Sequence, residues 1–212
     1  MSEFKIYYSD KNLVVCEKPT GINSQDEGQN CIPHLLRQKL GCTYIGVVHR
    51  LDVGVGGVMV YALNKETAAF LSTQITDGRF KKHYVAKIHG KPEQNSGIFE
   101  DLLFKDSRKN KSFVVDKERK GVKKASLEYK LVNTKQTTIG ELSLVEILLH
   151  TGRTHQIRVQ FASRKMPLVG DGKYGASDNI KNIGLLCKKL EFFSSKHSKE
   201  PVCFESKSIL EL

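Results

Sequence analysis

Two polar clusters hold the residue types that chemistry at a folded site requires. The first is His49-Arg50-Leu51-Asp52, set directly before the turn Val53-Gly54-Val55-Gly56-Gly57 and the apolar run from Val58 to Leu63. The second is Gly152-Arg153-Thr154-His155-Gln156-Ile157-Arg158. An aspartate before a glycine turn usually heads the turn, and an arginine in an apolar segment usually pairs with a carboxylate. Each cluster alone is therefore weak evidence for chemistry. Together they point further. Arg158 lies among Ile157, Val159, Phe161 and Ala162, where a guanidinium needs a carboxylate partner. Asp52, ahead of a buried strand, is a candidate. An aspartate held by an arginine stays ionised. A partly dry, ionised aspartate serves as a nucleophile or stabilises developing positive charge.

Other chemistries lack their motifs. There is no GxxxxGK[ST] phosphate loop and no Gly-x-Ser-x-Gly elbow. The Gly54-Val55-Gly56-Gly57 run is too short for a dinucleotide fingerprint and reads as a turn where backbones approach closely. His150 and His155 are five apart with no glutamate between them, which is not a metalloprotease helix. The sequence calls for no metal and no organic cofactor.

Charge narrows the partner class. The 212 residues carry a net charge of +11. A strongly basic folded chain reads as a polyanion binder, with nucleic acid ahead of a membrane surface. Residues 105–135 hold eleven Lys or Arg against four Asp or Glu, a net of +7. Like charges crowded this way repel unless an anion neutralises them, so the segment reads as β-hairpins with basic, phosphate-contacting tips. The five cysteines form no CxxC pair and their number is odd. That argues against a disulfide framework or a zinc knuckle and fits a reducing compartment. The N-terminus lacks the pattern of a signal peptide, and no segment approaches a membrane span. The expected setting is cytoplasmic, without a membrane partner.

The elements that must position these residues follow from pattern. Residues 5–21 read as two short strands around Ser9-Asp10-Lys11-Asn12. Residues 31–41 read as an amphipathic helix closed by Gly41, and residues 64–78 as a helix capped by Asn64 with Ala68, Leu71 and Ile75 on one face. Residues 81–90 read as a strand with Tyr84, Ala86 and Ile88 on one face. Residues 155–165 are ambiguous. Ile157, Val159 and Phe161 alternate as in a strand, yet Thr154 suits an N-cap and Ile157 and Phe161 are four apart, so a helix is expected. The tail reads as strands joined by a basic turn. No linker forces a split, so residues 1–212 are expected to form one domain.

Four blocks then make the chain similar to the RluA-type RNA pseudouridine synthases. They are Leu13–Ile22 with its Lys-Pro-x-Gly turn, Val48–Asn64 containing His-Arg-Leu-Asp, Lys81–Gly90 with its tyrosine, and Thr151–Gly175 containing Thr-Gly-Arg-Thr-His-Gln-Ile-Arg and Gly-Asp-x-x-Tyr-Gly. The resemblance implies an α+β fold with a mixed, largely antiparallel central sheet and flanking helices. It implies an isomerase acting on a uridine of ribosomal or transfer RNA, without a cofactor, as a monomer. It makes Asp52 the catalytic aspartate, Arg158 the arginine that pairs with it, and Tyr84 the tyrosine that stacks on the target base. Arg50 becomes the residue that helps extrude the base, and His49, Arg153, His155 and Gln156 join it in binding RNA. No separate N-terminal RNA-binding module is expected, so the grip falls to the basic hairpins at 105–124.

The sequence departs from the family pattern at Val55-Gly56, where two hydroxyl residues are usual. It also has Gln160 in place of a second histidine, Lys165 in place of a glycine, and Cys187-Lys188 in place of His-Ala. The hydroxyl loss gives footing to a second reading, a catalytically silent RNA-binding protein on the same scaffold. A metal-dependent nuclease is a third, disfavoured because no second carboxylate lies near Asp52 in the sequence.

Overall fold

Leu13–Lys18 and Gly56–Ala62 are nearly continuous apolar runs, and they pair side by side as buried strands of the computed structural model. The structure describes residues 4–212. In chain order the elements are β1 (Ile6–Ser9), β2 (Leu13–Lys18), α1 (Ile32–Leu40), β3 (Gly46–Val47), β4 (Gly56–Ala62), α2 (Lys65–Thr76), β5 (Lys81–His89), β6 (Ser96–Asp106), β7 (Lys111–Val115), β8 (Val122–Thr137), β9 (Gly140–Leu149), α3 (Gln156–Ala162), β10 (Leu185–Phe192) and β11 (Val202–Glu205). The class is α+β, with mixed and mostly antiparallel strands, as expected. The chain forms two compact units. One holds residues 4–82 and Leu186–Ile209; the other holds His83–Leu185 and Leu210–Leu212.

In the first unit β2 and β4 run antiparallel, and β10 joins the other side of β4 in parallel, with Gly56 opposite Leu186 and Gly57 opposite Cys187. The β1–β2 turn closes on Asp10, whose Oδ1 accepts the Asn12 and Leu13 N–H groups at 2.8 Å each. This is the local competition by an aspartate side chain that favours a turn over a continued strand. α1 ends at Gly41 in the left-handed region, φ 64°, as predicted. α2 is capped as predicted, with Asn64 Oδ1 accepting the Thr67 N–H at 2.8 Å. Its Gln74 amide is buried and exchanges two hydrogen bonds with the Phe193 backbone, 2.9 and 2.8 Å, which fixes the helix to the end of β10.

In the second unit the strand order is β5-β9-β8-β6-β7. Tyr84, Ala86 and Ile88 are buried along one face of β5, as the alternation predicts. The basic segment forms hairpins with basic tips. At the first tip Asp106 Oδ1 accepts the Arg108 and Lys109 N–H groups, and Arg108, Lys109 and residues 117–120 are all exposed.

α3 resolves the ambiguity of residues 155–165 in favour of a helix. Seven residues are too few for a stable isolated helix. Six of its seven residues are buried, so packing holds it. Phe161 meets Phe99 at 5.1 Å and edge-on, and Phe99 meets Tyr129 at 4.6 Å. The expected cap at Thr154 is corrected. The N-cap is His155, left-handed at φ 52°, with no side-chain cap bond. Thr154 instead offers its carbonyl to Ser112 Oγ at 2.7 Å.

Candidate active site

Asp52 heads a tight turn in which the Val55 N–H donates to its carbonyl at 3.0 Å, and its side chain is half-buried. The turn is held from several sides within the first unit. Ser24 clamps the Leu51 backbone, donating to its carbonyl at 2.7 Å and accepting its N–H at 3.2 Å. The Gly21 N–H donates to the Val53 carbonyl at 2.8 Å. Lys18 is completely buried, and its Nζ donates to the carbonyls of Pro19 at 3.0 Å, Val53 at 3.3 Å and Val55 at 2.7 Å. Burial pulls the Lys18 pKa down to about 8, and the Asp52 charge opposes that fall.

This cradle explains the first departure from the family pattern. Val55 and Gly56 carry no hydroxyl, but the turn is closed by backbone groups and by Lys18. A Cβ on Gly56 would lie 3.2 Å from the Lys18 carbonyl, so the small residue matches a close crossing of chains. Gly57 is stricter. It sits at φ 124°, and a Cβ there would lie 2.3 Å from the Cys187 carbonyl oxygen. The expected close backbone approach in this glycine run is therefore present.

His49 and Arg50 diverge. Arg50 is exposed and donates to Gln25 Oε1 at 2.8 Å. His49 is buried, accepts the Val60 N–H on Nε2 at 3.1 Å, and packs on Phe80 at 5.4 Å. Burial, with Lys82 nearby, pushes its pKa down to about 3, so the ring is neutral. His49, expected to bind RNA, is placed in the interior of the first unit. A neutral, enclosed imidazole braces the loop onto β4, because its acceptor nitrogen is spent on a backbone group.

Tyr84 and Arg158 belong to the second unit, and both are buried. Within that unit the carboxylate held by Arg158 is Asp171. Arg158 Nε donates to Oδ2 at 2.6 Å and Nη2 donates to Oδ1 at 2.7 Å, with both side chains almost wholly enclosed. The guanidinium carbon lies 5.1 Å from the centre of the Tyr174 ring. A fork-on-fork pair of this kind fixes the orientation of the guanidinium as well as its charge. Asp171 and Tyr174 lie in a sequence motif that assigns neither of them a role. Their signal was the Gly-Asp-x-x-Tyr-Gly spacing, which does not say what either touches. Lys18 enters the sequence reading only as the first residue of the Lys-Pro-x-Gly turn. Its signal was a lone lysine closing an apolar run.

The remaining residues of the second cluster lie around the start of α3. Arg153 is half-buried, and its Nε donates to the Lys124 carbonyl at 2.9 Å, on the basic β8. His155 Nδ1 lies 2.9 Å from the Tyr174 hydroxyl. Gln156 is buried and structural. Its Oε1 accepts Thr151 Oγ1 at 2.7 Å and the Arg153 N–H at 3.0 Å, and its Nε2 donates to the Ser126 carbonyl at 3.1 Å. Gln156, expected to bind RNA, thus holds the turn before α3 together and ties it to β8. Gln160, another departure, is buried and donates to the Phe99 carbonyl at 3.2 Å and to Asp101 Oδ2 at 2.7 Å. Lys165 takes up a left-handed backbone, φ 60°, where the resembling family has glycine.

The sequence profile of the family described as RNA pseudouridylate synthase matches residues 12–163, a span containing Asp52, Tyr84 and Arg158. The chain is 35% identical over 208 residues to a ribosomal large subunit pseudouridine synthase D of Borreliella burgdorferi, covering 91% of this chain and 62% of that protein. It is 33% identical over 207 residues to a ribosomal large subunit pseudouridine synthase C of Buchnera aphidicola, covering 92% and 64%. The chain thus spans less than two thirds of the length of these relatives. Among solved structures, the fold matches human RNA pseudouridylate synthase domain containing 1 with a TM-score of 0.80 at 21% identity, covering 97% of this chain and 84% of that one. Human RNA pseudouridylate synthase domain containing 4 matches with a TM-score of 0.75 at 24% identity, covering 95% and 88%.

Proposed function

The chain belongs to the RNA pseudouridylate synthase family, and from that premise we propose that it isomerises a uridine of ribosomal RNA to pseudouridine. The reaction breaks the bond between uracil N1 and the sugar C1′, turns the base, and joins C1′ to C5. The C5 proton leaves and N1 gains one, so atoms balance without a cofactor. Asp52 is the acting carboxylate, by attack on sugar or base or by abstraction of a sugar proton. Tyr84 stacks on the extruded base and is the candidate carrier of the C5 proton. Arg158 supplies the buried cation, and Arg50 fills the space the base leaves. Extrusion costs a few kcal/mol of stacking, which aromatic and cationic contacts offset.

The observation that carries this reading is the rigid turn that presents Asp52, held by Ser24, Gly21 and the buried Lys18. Binding alone does not require a carboxylate fixed in this way. A preorganised charge at a reacting centre does. Ribosomal RNA is favoured over transfer RNA because the relatives at 35% and 33% identity carry ribosomal large subunit names. We assign the RNA grip to the exposed basic tips of the second unit, and we read residues 1–212 as one catalytic domain, since the family match runs through both units. The protein acts as a monomer in the cytoplasm in this reading. Among the described residues no helix is long and apolar enough to cross a membrane.

The test is tritium release from RNA labelled at uridine C5. The wild type releases label, and Asp52→Ala releases none while still binding RNA. Wild-type protein that binds RNA but releases no label from ribosomal or transfer RNA would support the silent binder instead.

A further inference from the structure

Tyr174 stands at a junction in the second unit that the reaction scheme leaves unused. Its ring lies against the Arg158 guanidinium at 5.1 Å, on the residue that the Asp171 pair already orients. Its hydroxyl oxygen accepts the Ser112 N–H at 2.8 Å, and it lies 2.9 Å from His155 Nδ1. Ser112 sits on β7, the outer strand of the basic hairpin, and the same residue donates from Oγ to the Thr154 carbonyl at 2.7 Å. Lys111, its neighbour, has Nζ 5.0 Å from the centre of the Tyr174 ring. One buried aromatic side chain therefore touches the basic hairpin, the turn before α3, and Arg158.

The conformation of the chain supports a dedicated arrangement. His155 is held left-handed at φ 52°, which is unfavourable for a residue with a Cβ. Strain of this kind persists only where surrounding contacts over-determine it, and it concentrates at functional sites. Here it turns the imidazole onto Tyr174 edge-on, with ring centres 5.6 Å apart. The hydroxyl thus bonds both to the Ser112 N–H and to His155 Nδ1, the direction of the second bond following the tautomer of the imidazole. The motif's second residue, Asp171, fixes the plane of the guanidinium; Tyr174 fixes its height, by a cation lying on the ring face.

We propose that Tyr174 is a positioning residue for Arg158, anchored by its hydroxyl to β7 and to His155, so that the basic hairpin and the catalytic arginine share one rigid support. The proposal rests on the assignment of Arg158 to the reaction. It predicts that Tyr174 acts mainly on the chemical step, because β7 keeps its pairing with β6 when the hydroxyl is lost and the exposed tip stays in place. Tyr174→Phe keeps the ring and removes the anchor; Tyr174→Leu removes both.

The experiment combines kcat and KM with a readout independent of turnover. The substrate is large-subunit ribosomal RNA transcribed in vitro with C5-tritiated uridine. Misplacement of a catalytic group costs up to about 100-fold, so kcat is expected to fall about 10-fold in Tyr174→Phe and about 100-fold in Tyr174→Leu, with KM within twofold of wild type. In parallel, 15N relaxation of Arg158 Nε is expected to show a rigid group in the wild type and a more mobile one in each variant. Wild-type kcat in a folded variant, or a rise in KM that matches the fall in kcat, overturns the proposal. So does an Arg158 Nε as rigid in the variants as in the wild type. If Tyr174→Leu does not fold, Tyr174→Phe decides alone. If the wild type releases no tritium, the isomerase assignment fails, and the Nε relaxation still decides whether Tyr174 positions Arg158.

Discussion

Lys18 Nζ donates to the Val55 carbonyl at 2.7 Å, so a completely buried ammonium closes the turn that presents Asp52. Three carbonyls, those of Pro19, Val53 and Val55, accept from that one group, and the Val53 carbonyl also accepts the Gly21 N–H. An ammonium inside a protein is costly unless such acceptors and a nearby carboxylate compensate it.

Lys18→Met is expected to lower unfolding free energy by about 2–3 kcal/mol, because buried carbonyls lose their donor. The effect depends on pH. The Lys18 pKa is depressed from 10.5 to about 8, so between these values the unfolded chain binds more protons than the folded one. Stability owed to Lys18 therefore rises with pH across that window, and the cost of burying the charge is borne in full below it. Urea unfolding of wild type and Lys18→Met at pH 7.5 and 10 checks both points. A difference that does not change with pH contradicts the buried charge.

His49 sets an acid limit. Its pKa is lowered from 6.5 to about 3, so the native ring stays neutral while the unfolded ring charges. Its contribution is present above pH 6.5 and is lost as pH falls toward 3, at about 1.4 kcal/mol per pH unit from this group. His49→Gln keeps an acceptor for the Val60 N–H but does not titrate. Its stability profile between pH 6.5 and 4 is expected to be flatter than that of the wild type.

The glycine run makes a steric prediction. Gly57→Ala forces a Cβ to 2.3 Å from the Cys187 carbonyl oxygen and into an unfavourable φ, and about 3 kcal/mol or more of stability is lost. Gly140→Ala is the control. Its φ is 103° but nothing lies within 4 Å of the added atom, so only backbone strain, about 1–2 kcal/mol, is expected. Equal losses in the two variants, read by thermal unfolding, would remove the argument from the β4–β10 contact.

Lys165 offers a gain. It is exposed and left-handed at φ 60°. Lys165→Gly relieves a strain of about 1–2 kcal/mol, part of which is returned through the freer unfolded chain. A net stabilisation of about 0.5 kcal/mol is expected, with no change in RNA binding.

The basic tips predict a salt law. If Arg108 and Lys109 each meet a phosphate, the slope of log affinity against log salt falls by about 0.9 per residue neutralised. Binding of ribosomal RNA by Arg108→Gln and Lys109→Gln across a salt series measures this. An unchanged slope removes the hairpin from the RNA surface.

The sequence by itself determined the elements whose signals are local. Asp10 and Asn64 compete for nearby backbone N–H groups, Gly41 permits a left-handed cap, and alternation in β5 buries Tyr84, Ala86 and Ile88. It also marked the two polar clusters, because residue type and spacing are written in the chain. What only the tertiary structure decided was which groups meet across long separations. His49 and Gln156 read as RNA-facing from their motifs, yet both are buried, with His49 Nε2 and the Gln156 amide bonded to groups that only folding brings near. Lys18 reads as the start of a Lys-Pro-x-Gly turn, although its partners lie up to 37 residues away. The Arg158–Asp171 pair and the Tyr174 anchor arise the same way. A buried charge must be matched, but the chain does not say by which residue. That choice belongs to packing, where geometry selects one partner among many of the right chemistry.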